Sequence, residues 1–137
     1  MSLSVTSWPQ AVDYRIVYES AAGTTANTNA TGSTGTIKQI KVDNSQGSQA
    51  VFLKVKDGLT ASVNDEPDWL FRVGSGEVET ISFQECGHFS AGLSFWATRL
   101  ATVGNNTAPA VNQNGTVKVT FVVHQTSERI NVNSVGY

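Results

Sequence analysis

Between Ala50 and Phe95 the chain runs AVFLKVKDG, a short acidic loop, WLFRV, GSGEVETISFQ and CGHFSAGLSF, a series of short apolar stretches each broken by Gly, Asp or Asn. Two-residue alternation inside the stretches, with turn-forming residues between them, specifies consecutive antiparallel strands joined by tight turns and leaves no window for an amphipathic helix. The spacing predicts Val51, Leu53 and Val55 inward with Lys54 and Lys56 outward. Trp69, Phe71 and Val73 form the next alternating set, Ile81 and Phe83 mark the strand after it, and Leu93, Phe95 and Ala97 share a face opposite Ser94, Trp96 and Thr98.

The flanking sequence extends this pattern. Residues 12–19 alternate Tyr14, Ile16 and Tyr18 against Asp13, Arg15 and Val17, a first strand expected to bury its Tyr14 face. In residues 36–44, Ile40 and Val42 share a face while Ile37 falls out of phase, which predicts a bulge or an edge. Val117, Val119, Phe121 and Val123 make a last core strand. Residues 20–35 and 101–115 are long polar loops, and the first carries so little apolar surface that it is expected to be mobile or to order only against a partner. The chain therefore reads as all-β: a single antiparallel β-sandwich, jelly-roll-like or immunoglobulin-like, of about seven to eight strands over residues 12–125. An N-terminal arm (1–11) and a C-terminal arm or edge strand (126–137) flank it. The expected core is Val51, Leu53, Val55, Ile81, Phe83, Leu93, Phe95, Val119 and Phe121.

Composition narrows the function classes. A chain of 137 residues is one domain's worth, and its 14 Ser, 15 Thr and 12 Gly belong to a turn-rich sheet protein. A net charge of -2 supplies no field to hold nucleic acid or an anionic membrane. Cys86 is the single cysteine, which excludes an intramolecular disulfide and fits folding in a reducing compartment. With no apolar leader and no long apolar run, the expectation is a chain neither secreted through a signal peptide nor membrane-spanning.

Catalytic vocabulary is nearly empty: no nucleophile elbow, phosphate loop, dinucleotide fingerprint or zinc-protease motif occurs, and His88 and His124 are the only histidines. Cys86 and His88 lack a third orienting group for thiol chemistry and lack the further ligands a zinc site needs. Asp65, Glu66 and Asp68 do not have calcium-loop spacing and read as a solvated acidic loop. The sequons at Asn29, Asn105 and Asn114 are what so much Asn, Ser and Thr produces by chance. The expectation is a protein that is not an enzyme and that uses no cofactor or metal.

Contact residues are easier to nominate. Trp8 is a large apolar anchor outside the alternating runs, and Pro9 after it holds the chain extended. It either docks on a neighbour or folds back over its own sandwich. Ile130 and Val132 can add an edge strand to this chain or another, and Trp69 and Trp96 are candidates for subunit contact or for stacking on a sugar ring, unless they pack in the core or at its rim.

The order of parts in FLKVKDG, VETISF, HFSAGLSFWAT, a polar loop and VKVTFVV resembles small β-sandwich structural proteins of tailed-phage virions, over roughly residues 36–124. Members of that group decorate or cement a capsid shell, commonly as trimers at local three-fold positions, or serve as structural subunits at the head-to-tail junction and in the tail. The resemblance thus implies a capsid cement protein in the virion, assembled in the host cytoplasm, with the major capsid protein or another virion protein as partner and a homo-oligomer, trimer favoured. A head-tail connector or tail subunit is the alternative within that group, and a carbohydrate-binding β-sandwich module is the alternative from another class.

Overall fold

The computed structural model describes residues 14–125. Both arms, and with them Trp8, Pro9, Ile130 and Val132, lie outside the described residues. The described chain is all-β, with eight strands and no helix: β1 (Tyr14–Glu19), β2 (Gly35–Asp43), β3 (Val51–Asp57), β4 (Trp69–Val73), β5 (Val78–Ser82), β6 (His88–Phe89), β7 (Leu93–Thr98) and β8 (Lys118–His124). They form two antiparallel sheets. The larger has the order β1-β8-β2-β5, with β6 continuing β5's side of β2, and the smaller has the order β4-β3-β7.

The inner faces of the two sheets pack into one core. The larger sheet contributes Ile37, Ile40, Val42, Val119, Phe121 and Val123, and the smaller contributes Val51, Leu53, Val55, Val73, Leu93, Phe95 and Ala97. Phe95 and Phe121 meet across the sandwich with ring centroids 4.7 Å apart. The out-of-phase isoleucine is explained by a register shift between Ile37 and Gln39 against β8, which lets Ile37 and Ile40 both face inward. Ile81 and Phe83 are half-buried, and Phe83 sits edge-on to Trp69 and Phe71, closing the margin between β5 and β4.

Three expectations are corrected. The Tyr14 face of β1 is the exposed one, and it is Val17 that packs against the core. The polar segment after β1 is ordered within its own domain: Asn27 exchanges backbone hydrogen bonds with Phe95 (2.9 and 3.0 Å), Ala30 N–H donates to Leu93 O and Ala97 N–H donates to Gly23 O. Residues 22–30 thus cover the free edge of β7, ordered by main-chain bonding that a count of apolar side chains does not register. Lys54 does not face solvent. It is fully buried beside its register partner Trp96, because the segment after β7 folds back over the outer face of the smaller sheet and places Thr102 O 2.8 Å from Lys54 Nζ.

The two runs FLKVKDG and HFSAGL meet at one side chain. The Asp57 carboxylate, at the end of β3, accepts the N–H groups of Ser90, Ala91 and Gly92 and pins the β6–β7 turn. Burial alone would raise its pKa, but these N–H bonds outweigh burial and hold the carboxyl below its usual range. Asp65 and Asp68 act locally, Asp65 pairing with Lys56 at 3.3 Å and Asp68 accepting the Asp57 N–H at 2.7 Å.

Burial disfavours the charged form of Lys54 and lowers its pKa. The unfolded chain therefore binds the more protons between the folded pKa and the ordinary lysine value, so this group costs stability at lower pH and the cost fades as pH rises through that interval. Lys54→Met is expected to leave stability at pH 7 unchanged or raise it, and to flatten the alkaline rise. Urea melts at neutral and alkaline pH check this; a Lys54→Met variant with the parent's alkaline slope contradicts it.

Candidate functional site

The exposed residues of β1 define the site. Tyr14, Ile16 and Tyr18 are 56%, 72% and 57% exposed, a stripe of large apolar side chains along one edge of the larger sheet. Pairing with β8 sets Tyr14 beside His124, Ile16 beside Val122 and Tyr18 beside Thr120, so the stripe widens by one strand before the face turns polar at Gln39 and Lys41 of β2. Tyr14 and His124 rings lie 5.0 Å apart. Along the other edge of β1 no described strand pairs with it.

The same register fixes where the chain ends go. Because Tyr14 pairs with His124, the described chain begins and ends side by side at one corner. Gln125 marks the exit: its fully buried amide donates to Ser33 Oγ and Thr34 O. Among the described residues, two charged side chains of β1 make local contacts. Arg15 Nη1 lies 3.4 Å from Thr31 O, and Glu19 Oε2 accepts the Ala21 N–H at 3.0 Å.

The aromatic candidates end up elsewhere. Trp96 is fully buried on the outer face of β7, so it offers no surface to a sugar or a partner, and its indole N–H finds no acceptor among the described residues. Trp69 is half-buried against Phe83 with a centroid distance of 6.4 Å, a rim position. No group of three or more His, Cys, Asp or Glu is placed to hold a metal among the described residues. Cys86 is exposed in the kink between β5 and β6. A shallow apolar depression of about 180 Å³ between residues 21–23 and 108–117 is lined by no titratable side chain.

Sequence reasoning found the alternation of β1 and assigned it the wrong face. The available signal was the tyrosines, whose polar tips suit a wet surface, against the smaller, wholly apolar Val17. Comparison with known proteins finds no matching family model, no matching curated protein and no matching solved structure.

Proposed function

We propose that the protein is a non-enzymatic structural subunit of a phage particle, a capsid cement or decoration protein that stabilises a shell through protein contacts. One observation carries this reading: the described chain begins and ends at one corner, beside the exposed Tyr14–Ile16–Tyr18 stripe, so both terminal arms are tethered next to that stripe. Extended arms bind by adding strands to sheet edges or by seating an apolar anchor, and the chain carries Trp8-Pro9 on one arm and Ile130 and Val132 on the other.

Strand order supports the reading. With residues 22–30 counted as the second of eight strands and β6 joined to β5, the sheets read 1-8-3-6 and 2-7-4-5, the order of a jelly roll. That architecture recurs in viral capsid proteins and in lectins, so it ranks readings without choosing among them. The burial of Trp96 and the rim position of Trp69 weigh against the carbohydrate-binding alternative. A head-tail connector or tail subunit would use the same corner and stripe against a ring.

Deleting residues 1–11 is expected to leave the melting transition within a few degrees of the parent while weakening incorporation into shells. Unfolding of the deletion variant would make Trp8 part of the core, and unchanged incorporation would remove the arm from the contact.

A further inference from the structure

We infer that Asn114, in the turn ahead of β8, is a site of spontaneous modification: its side chain closes on the nitrogen of Gly115 to form a succinimide, which opens to aspartate and isoaspartate. The reaction is independent of any role in a particle.

Its chemistry needs only water. The Gly115 main-chain nitrogen attacks Asn114 Cγ, the Cγ–Nδ2 bond breaks, and the side-chain nitrogen leaves as ammonia with the proton that Gly115 gives up. Water then opens the ring. Attack at Cγ yields aspartate, whereas attack at the main-chain carbonyl carbon of Asn114 yields isoaspartate, in which the chain runs on through the former side chain. Either product replaces a neutral amide by a carboxylate. Glycine, with no Cβ, leaves the attacking nitrogen least hindered, and Asn114-Gly115 is the one Asn-Gly pair in the chain.

The fold leaves this pair open to reaction and locks its nearest equivalent. Asn114 is exposed, its side-chain amide has no partner among the described residues, and its φ of 64° is a left-handed conformation that a residue with a Cβ holds at a cost. One hydrogen bond, from Gly115 N–H to Asn112 O at 2.8 Å, restrains the attacking nitrogen. Asp57-Gly58 can close the same ring by losing water. There, however, the carboxylate accepts the N–H groups of Ser90, Ala91 and Gly92, and Gly58 N–H donates to Gly92 O at 2.9 Å. Neither reacting group is released unless β3 parts from the β6–β7 turn, while the Asn114 turn opens locally. That turn lies at the far end of β8 from the corner where the described chain begins and ends, about 20 Å along the strand. Isoaspartate inserts its extra main-chain atom beside the pairing of residues 110–112 with 46–48.

The purified full chain, aged in mildly alkaline buffer with and without guanidinium chloride and then mapped by mass spectrometry and chromatography of its peptides, tests the site. In the folded protein Asn114 should be the first described asparagine to lose its amide, read in the tryptic peptide 100–118 as paired aspartyl and isoaspartyl forms. Because a single hydrogen bond holds the attacking nitrogen, folding should slow the reaction at Asn114 by no more than about tenfold relative to denaturant. Isomerisation at Asp57, held by several bonds, should be slowed by about a hundredfold or more. Asn114→Gly, which suits the left-handed turn, should keep the melting transition and abolish the acidic forms of that peptide. Earlier conversion of another described asparagine, suppression of Asn114 well beyond tenfold in the folded state, native isomerisation at Asp57 as fast as in denaturant, or acidic forms of the peptide that persist in Asn114→Gly would each overturn the inference.

Discussion

Truncating Phe95 to alanine is expected to destabilise the domain by about 3–5 kcal/mol, the range for removing a fully buried aromatic ring. Phe95 is 1% exposed, its ring meets Phe121 at 4.7 Å, and its main chain is bridged to Asn27. The ring therefore joins the two sheets in the middle of the core, while the backbone around it holds residues 22–30 in place. For a domain of ordinary stability the loss is a large share of the total, and the melting temperature should fall by about 10 °C or more. Urea unfolding of the variant measures it, and a cost below about 1 kcal/mol would show that the sheets do not pack through this ring.

Gly47→Ala is expected to cost about 2–4 kcal/mol, through loss of bonds to buried polar groups. A Cβ at Gly47 would stand 2.0 Å from Asn44 Oδ1 and 2.6 Å from Nδ2. Asn44 cannot step aside cheaply: it is fully buried, and its Nδ2 donates to Gln49 O and Gly74 O, both at 3.0 Å. Its own main chain donates to Glu77 O and accepts from Gly47 and Gly76. One side chain thus ties the end of β2 in the larger sheet to the turns flanking β3 and β4 in the smaller. In an Asn44→Ala background the same glycine substitution should cost much less, because the atoms it meets are gone. Equal costs in both backgrounds would remove the bracket.

What the sequence made legible follows from what period-two alternation encodes. It separates the two faces of a strand, and in β3 and β8 the inward face was readable because one set was wholly aliphatic or aromatic and the other mostly charged or polar. It does not say which face is buried when both carry apolar residues, and so β1 was assigned the wrong way round. Nor does it report what covers an outer face. Lys54 and Trp96 sit opposite the core and are nevertheless buried, and Lys54 reaches Thr102 O in the segment that folds back after β7. The Ile37 irregularity was readable because a bulge leaves a local signature, whereas the ordering of residues 22–30 depends on main-chain bonds to β7 that no side-chain pattern announces. The corner at which the described chain begins and ends is legible only from topology, since it follows from the pairing of the first described strand with the last.

Addition of the purified full chain to preformed shells of the cognate major capsid protein, followed by sedimentation and quantification of the bound protein, tests the central claim most directly. The structural-subunit account predicts saturable, stoichiometric binding that raises the thermal stability of the shell and is weakened by deleting residues 1–11. Absence of binding at saturating concentrations of correctly folded protein would contradict it.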